Sequence, residues 1–300
     1  MTITYECKPR ITAKILAYSI APNGQTIVTW ELEYQRFIHG EFMTHRLFSR
    51  NAASSRAIPV KSMIAAVQQS PAMPVHWGKN QPGMQAKEEL TGFELDIVEA
   101  LWQDAANEAA HTASLMDEQG AHKQIVNRIL EPFQTMKTVM TATCMDNFFW
   151  LRNHEDAQPE IKELARLMWE ALESEDPVRL QPGDWHVPYF GEGYWLQGCG
   201  IPLEDALAIS SSCCAQVSYR RLDDTLEKAQ MIFQRLVESE PVHASPFEHQ
   251  ATPMKKNVDF RNKGVTHKDR AGNFWSGNFI GWIQHRQLIP NNVCTKYEVK

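Results

Sequence analysis

The stretch "FMTHRLFSRNAASSRAI", residues 42–58, brings His45, Arg46, Ser49, Arg50, Asn51, Ser54, Ser55 and Arg56 together without a single acid. It follows "TIVTWELEY", residues 26–34, which alternates apolar and polar side chains. Thr12 to Ser19 and Thr26 to Phe37 are rich in β-branched and aromatic residues, and "APNGQ" between them is a turn signal, so a hairpin is predicted. The cationic stretch therefore begins where a strand ends. Arginine forks and serine hydroxyls at such a place suit phosphate oxygens and the carbonyls of a planar ring. The competing reading is a solvated loop whose arginines pair with acids elsewhere in the chain.

Composition narrows the choice. With 300 residues, 43% hydrophobic and 22% charged, the chain has the make-up of a folded globular protein and enough length for a large core. Its net charge of −6 gives no general field for a nucleic acid polymer, so a local cluster at 44–56 points to a small anion. No apolar run is long enough to span a bilayer, and "MTITYECKPRITAKILAYS" lacks the layout of a secretory signal, so a cytoplasmic protein with no membrane partner is expected. The six cysteines include no CxxC pair, which argues against a zinc site and for reduced thiols.

Along the rest of the chain, a helix is predicted over Lys61 to Gln69. The Pro- and Gly-broken segment Ser70 to Met84 reads as a loop presenting His76, Trp77 and Lys79, or as a solvent-facing connector. Gln85 to Leu172 reads as mostly helical, with His122 to Arg152 as a helix buried on most sides. In "QPEIKELARLMWEALE", Ile161, Leu164, Ala165, Met168, Trp169 and Leu172 share one face. Breakers return at Glu175 to Trp195. A helix over Leu222 to Glu238 buries Leu226, Ala229, Phe233 and Leu236, and a basic polar loop, residues 262–273, precedes a strand-like run from Phe274 to Ile289. With no linker in sight, residues 1–300 are expected to form one interwoven α+β domain, with 1–175 and 205–300 as its two parts.

Three separated blocks carry a family resemblance. "THRLFSRNAASSR" resembles the RHRxxSxNExSxR signature of flavin-dependent thymidylate synthases (the thymidylate synthase complementing proteins), with His45, Arg46, Ser49, Asn51, Ser54 and Arg56 in register. Arg128 and Pro132, Asn147, Leu151-Arg152 and Ala157 to Ile161 look like that family's long central helix and the helix after it. "CAQVSYRRLDDTLEKAQMIFQRLVESEPVHASPFEHQATP", residues 214–253, resembles what the family carries at its amino end, with Ser218, His243, Ser245, Glu248 and His249 on the matching positions. Here that block comes last, so the resemblance implies a circular permutation. "GWIQHRQLIPN", residues 281–291, echoes the signature region more faintly. Gln284, His285 and Arg286 are extra candidates there, against an ordinary edge strand.

The resemblance implies a mixed sheet with long central helices, a homotetramer with each flavin at a subunit junction, and reductive methylation of dUMP. Methylenetetrahydrofolate would supply the carbon and NADPH the electrons, through FAD. By the same resemblance Thr44, His45, Arg46, Asn147, Asp156, Ser218, Ser245 and Glu248 would bind the cofactor. Glu41, Ser54, Ser55, Arg56 and Arg128 would bind the nucleotide, and Arg152 would meet the pyrimidine ring and act in catalysis. On its residues alone, Arg152 could equally be a surface arginine pairing with Glu155 or Asp156. The chain departs from the pattern at Thr44 (family Arg), Ala52 (family Glu), Glu41 (family Gln), and at Thr141 and Thr143. Those departures leave 5-hydroxymethylation of a pyrimidine nucleotide, and a non-catalytic flavin- or nucleotide-binding role, as alternatives. An RNA-binding module is disfavoured by the acidic net charge.

Overall fold

The computed structural model describes residues 4–7, 10–217 and 222–297. In chain order the strands and helices of the first part are β1 (Thr4–Cys7), β2 (Ile11–Ile20), β3 (Thr26–Gln35), α1 (His39–Phe42), β4 (Ser49–Ala52), α2 (Val60–Gln69), α3 (Phe93–Glu118), α4 (Lys123–Val126), β5 (Thr135–Ala142), α5 (Asp146–Arg152) and α6 (Pro159–Ser174). There follow β6 (Val178–Arg179), β7 (Trp185–His186), β8 (Tyr194–Trp195), α7 (Leu203–Ala215), α8 (Leu226–Glu238), β9 (Ala251–Pro253), β10 (His267–Lys268), β11 (Phe274–Ser276), β12 (Phe279–Ile280) and β13 (Trp282–Gln284).

The predicted hairpin is the centre of the main sheet, whose order is β1-β2-β3-β5-β4, antiparallel throughout, with β6 added parallel to β2. Period-two alternation sorts its side chains to two faces. One face carries Val28, Trp30, Leu32 and Tyr34 of β3 with Met136, Met140 and Ala142 of β5, and α5 and α6 close over it with Phe148, Phe149, Ile161, Leu164, Ala165 and Met168. Each large apolar side chain so buried contributes on the order of 1.5–3 kcal/mol. Trp169, assigned to the same helix face by spacing, stands at its margin, 42% exposed, with its ring against Phe149. Likewise only Ala229 of α8 is fully buried, while Leu226 is exposed and Phe233 and Leu236 pack partly.

The predicted helix from His122 to Arg152 does not exist as one element. Two short helices flank β5, a central strand of the sheet. "TMKTVMTA" alternates, sending Met136, Thr138, Met140 and Ala142 one way and Thr135, Lys137, Val139 and Thr141 the other. Because both faces are covered from Thr138 to Ala142, threonines are buried on one side as fully as apolar residues on the other, and the period that would mark a strand is masked. The long helix of this region is instead α3, 26 residues of which only Ala106, Ala110 and Ala113 are buried. The run Phe274 to Ile289 also breaks up, into β11, β12, β13 and a terminal 3-10 turn.

The other face of the main sheet is hydroxyl-rich. Across the registered row β3-β5-β4, Thr29 faces Thr141 and Thr141 faces Ser49. A second sheet, β13-β9-β7-β8, lies over this row and answers it one side chain at a time. His186 Nε2 meets Thr29 Oγ1 at 2.8 Å, His249 Nδ1 meets Thr141 Oγ1 at 2.8 Å, and Gln284 Nε2 donates to Ser49 Oγ at 3.2 Å. Thr29 and Thr141 join each other at 2.7 Å, and Ser19 Oγ closes the far end on His186 Nδ1 at 3.0 Å. Ala21, Ile27, Leu180, Ala251, Phe279 and Trp282 form an apolar patch between the layers.

Burial holds the layer's histidines neutral: His186 and His249 are pushed down to about 3 and His285 to about 4. Below pH 6.5 the unfolded chain therefore takes up protons that the folded chain refuses. Stability should fall as pH drops from about 6.5 towards 4, by up to ~1.4 kcal/mol per pH unit for each such histidine. Denaturant unfolding at stepped pH measures the slope, and His249→Gln should flatten it by one proton's share. Thr141→Val, which leaves His249 Nδ1 without its partner and removes one of the two hydrogen bonds of Thr29, should cost about 1–3 kcal/mol at pH 7 in the same measurement.

Candidate active site

The cationic stretch folds back over the end of α5. After β3 the chain makes a tight turn through α1, where the Thr44 hydroxyl donates to the Glu41 carbonyl at 2.7 Å. Phe42, Phe48 and Phe148 pack mutually, with ring centroids 5.3–6.2 Å apart. His45 lies on this cluster, edge-on to Phe148 at 4.9 Å and stacked with Phe48 at 5.6 Å. Arg152, the last residue of α5, reaches the same point. Its Nε donates to His45 Nε2 at 3.0 Å, and its Nη1 pairs with the Glu41 carboxylate. Arg152 pairs with neither Glu155 nor Asp156, so the surface-arginine reading is not the one adopted.

Burial, then the cations Arg152 and Arg50, push His45 down to about 4. The ring is therefore neutral near pH 7. Since Arg152 Nε can only donate, His45 Nε2 must be bare and its proton must sit on Nδ1. Arg50 is half-buried, donates to the Phe42 carbonyl at 3.0 Å, and feels the fields of Tyr34 and Glu248.

Glu41 and Arg152 line a cleft of about 1380 Å³, larger than most ligand sites. Asp156, Pro132 and Leu151 line it too, as do Val75, His76 and Met84 to Lys87 from the Pro/Gly-broken loop. That loop is a built wall. Lys79 N donates to Glu88 O at 2.7 Å and Leu90 N to Trp77 O at 2.8 Å, while Gln85 Nε2 reaches the Asp156 carbonyl at 2.9 Å.

A second polar cluster adjoins the cleft behind Phe37 and Pro132. The Glu131 carboxylate gathers Arg36 at 2.9 Å, Arg128 at 2.8 Å and the Ser55 hydroxyl at 3.3 Å. Two expected nucleotide ligands, Ser55 and Arg128, thus meet. Arg36 was not anticipated, because a single arginine at a strand end carries no pattern of its own. Arg56 is exposed on the turn beside Ser55, and Ser54 precedes it.

The third block also arrives, on the opposite side of β4. Its 3-10 turn, Ser245–Glu248, packs on that strand. Asn51 Nδ2 donates to the Cys214 carbonyl at 3.1 Å, and Gln284 Nε2 bonds Ser49 Oγ, Asn278 Oδ1 at 2.9 Å and Glu248 O at 3.3 Å. Glu248 is ion-paired with Arg286. Gln284 and Arg286 thus belong to the junction, although Gln284 does lie in a strand. Ser245 is exposed at this turn. Ser218 lies outside the described residues. Arg46 and Asn147, the neighbours of the touching pair His45 and Phe148, are exposed and have no ion pair or side-chain hydrogen bond among the described residues. Such free donors, beside a neutral imidazole and a half-buried guanidinium, fit a polar, phosphate-bearing cofactor. Among the described residues no group of three or more His, Cys, Asp or Glu side chains is placed to hold a metal ion.

The family model described as thymidylate synthase complementing protein matches residues 21–178, from the turn before β3 to the start of β6. A comparison with curated proteins gave no match. Among solved structures, the UMP/dUMP methylase PolB from Streptomyces cacaoi is similar in two ligand complexes. With 5-Br dUMP the TM-score is 0.41 at 18% identity, covering 50% of this chain and 67% of that one. With 5-Br UMP it is 0.48 at 15% identity, covering 57% and 92%.

If Arg152 is one of the charges that keeps His45 neutral, Arg152→Ala should move the His45 titration upward from about 4 towards the ordinary imidazole value. NMR titration of the His45 ring reads this directly, and an unmoved midpoint would remove Arg152 from its surroundings.

Proposed function

This chain belongs to the thymidylate synthase complementing protein family and is a thymidylate synthase-like methyltransferase, and we propose that it transfers a one-carbon unit from methylenetetrahydrofolate to C5 of dUMP, with FAD as cofactor and NADPH as reductant. The observation that carries this reading is Arg152, held between the Glu41 carboxylate and a neutral His45 at the mouth of a large cleft, inside the segment that the family model matches.

In this reading Arg152 faces the pyrimidine and stabilises negative charge as the ring's N3 ionises. Such a contribution is concentrated in the transition state. His45 accepts from Nε and so fixes the plane of the guanidinium. Glu41 balances its charge while the cleft is free of nucleotide. Ser54, Ser55, Arg56 and Arg128 receive the nucleotide phosphate, with Arg36 beside them. An incoming phosphate competes with Glu131 for the same two arginines, which the geometry of that hub favours as a preassembled anion site. Arg46, Asn147, His45, Ser245 and Glu248 are the groups that would hold the flavin, with Thr44, Asp156 and Ser218 as further candidates from the family pattern. The flavin, when bound, supplies hydride chemistry that no amino-acid side chain offers.

We also take residues 205–300 to be the family's first segment in permuted position, within one domain. Its support is the docking of Glu248 and His249 on β4 and β5, the strands of the signature and central blocks. Homotetramer formation is consistent with the exposed apolar residues Phe93, Ile97 and Leu101 on α3 and Met43, Leu47 and Trp150 around the site. No helix among the described residues is long and apolar enough to cross a membrane, and we assign the enzyme to the cytoplasm.

Incubation with dUMP, methylenetetrahydrofolate, FAD and NADPH, followed by mass analysis of the nucleotide, tests the reaction. A methyl gain is expected; a hydroxymethyl gain would reassign the product, and no gain with flavin retained would leave a binding protein. Arg152→Ala should lower kcat by about 10²–10³ while flavin absorbance is kept. Arg46→Ala should weaken flavin retention, read as the bound fraction after gel filtration.

A further inference from the structure

The Pro- and Gly-broken wall of the cleft has a fastening that the proposed reaction does not use. Its base is bound to the body of the molecule. Ala72 N donates to the Phe133 carbonyl at 2.9 Å, Trp102 Nε1 to the Ala72 carbonyl at 2.9 Å, and Gln35 Nε2 to the Met73 carbonyl at 3.1 Å. Val75 N donates to the buried Glu160 carboxylate at 2.8 Å. From Trp77 to Leu90 the chain then runs out and back as a hairpin, with Gly78 paired antiparallel to Glu89. The returning limb carries Met84, Gln85, Ala86 and Lys87 to the cleft. His76 apart, the Gln85 amide is that limb's one hydrogen-bonded tie beyond the hairpin among the described residues.

The ring of His76 joins the returning limb to the fixed base. Its Nε2 stands 2.6 Å from the Ala86 carbonyl oxygen and its Nδ1 2.9 Å from the Glu89 carboxylate. Gly78 allows the reach, since a Cβ there would come within 2.2 Å of the Ala86 Cβ and 3.4 Å of the His76 ring. A carbonyl and a carboxylate only accept, so each ring nitrogen must bring a proton, and a ring protonated on both is an imidazolium. The other way to satisfy Nδ1 is a protonated Glu89 donating to a neutral ring. That puts the proton on a carboxylate, ordinarily the weaker base by about a hundredfold, whose side chain is 51% exposed to water. A neutral His76 keeps only one of the two bonds. Whichever nitrogen is then bare turns its lone pair towards another acceptor.

The surroundings suit a positive ring. α3 brings the uncharged Trp102 to this part of the cleft. α6 and the turn before it bring Glu155, Asp156, Glu160 and Glu163 against His154 and Lys162. From across the cleft come Glu41 and Arg152, already paired, and the hairpin itself adds Lys87. Carboxylates outnumber fixed cations here, so a cation is the charge the cleft lacks.

We infer that His76 is a positioning residue: as an imidazolium it clasps the returning limb of the cleft wall, and loss of one proton releases that limb. The clasp rests on the hairpin alone; its effect on turnover rests on the reading of this cleft as the nucleotide site. Imidazole is the side chain whose charge ordinarily changes between pH 5 and 8. The wall is therefore tight on the acid side of the ring's titration and loosens as pH rises through it.

Nitrogen-15 NMR of the ring in the ligand-free protein, with amide exchange of residues 84–89 at matched pH, tests the clasp. On the acid side both His76 nitrogens should carry protons. Protection of residues 84–89 should fall by about tenfold as the ring loses one, the share of one charge-assisted hydrogen bond. Steady-state kinetics over the same range should show KM for dUMP rising by about tenfold through that midpoint with kcat at saturation unchanged. E89Q separates charge from mere packing. Its amide can donate to a bare Nδ1 and accept from a protonated one, so both pH dependences should vanish with the limb still held. H76F bonds neither partner and should show the loose limb and the raised KM at every pH. An unchanged thermal midpoint certifies the fold of each variant. A His76 ring with a single proton while residues 84–89 are protected, or an E89Q protein with wild-type pH dependence, overturns the clasp. Protection that follows the ring while KM stays level upholds the clasp and overturns the placement of the nucleotide in this cleft.

Discussion

A row of three hydroxyls, Thr29, Thr141 and Ser49, holds the molecule together in a way that an apolar face could not. Hydrophobic burial is non-directional, so two greasy sheets can slide by a residue at modest cost. A hydroxyl row answered by His186, His249 and Gln284 has one register in which the bonds form. Any slip leaves buried polar atoms unpaired, at about 1–3 kcal/mol each. The same buried layer that fixes the register also holds the His186 and His249 imidazoles neutral, because burial disfavours their charged form. Packing register and protonation state are thus one constraint.

That constraint reaches the site through β4. The strand is only four residues long and would be poorly fixed by pairing with β5 alone. Ser49 is held by Gln284 and Asn278, and Asn51 by the Cys214 carbonyl, so both of its outer-face side chains are tied to the carboxy-terminal half. The loop carrying His45 is therefore anchored at its far end, and the phenylalanine cluster anchors it to α5. Arg152 then has little choice but to lie between His45 and Glu41. The amino-terminal half supplies the charged groups, and the other half supplies the rigidity that makes their positions definite.

How much of this could be read in advance follows from what each feature depends on. The hairpin β2-β3 and helix α6 were legible because local pattern and final burial agree there. The convergence of the three blocks was legible through their resemblance, and Thr141 was noticed, but only as a departure from a family pattern. Its actual role needs the register of β3, β5 and β4, which no single segment contains. β5 was misread for a related reason: covering both faces erases the alternation that identifies a strand. Helix α7 was passed over altogether. "LEDALAISSSCCA" mixes serines with apolar residues, and Ser210, Ser211 and Ser212 are all buried, so it has no polar face to reveal a helical period. Arg36 was likewise out of reach, since its importance comes from Glu131, far along the chain; the loop Ser70 to Met84 was read as presenting His76, which does line the cleft, but its tie to the Asp156 carbonyl through Gln85 could not be read locally.

The replacement of a neutral side chain by Glu41 has a physical logic within this frame. A guanidinium at the rim of an apolar cluster is costly unless it is paired. Were His45 protonated it would add a second cation in contact with Arg152, and the pair could not share one site. Burial against Phe48 and Phe148 removes that possibility by keeping the ring neutral, and Glu41 supplies the counter-charge. What remains is a locally balanced group of three, and in the proposed reaction the carboxylate is the member that an anionic or carbonyl-bearing ligand would replace. Exchange of partners on a fixed guanidinium needs little reorganisation, which is the condition under which electrostatic stabilisation is most effective.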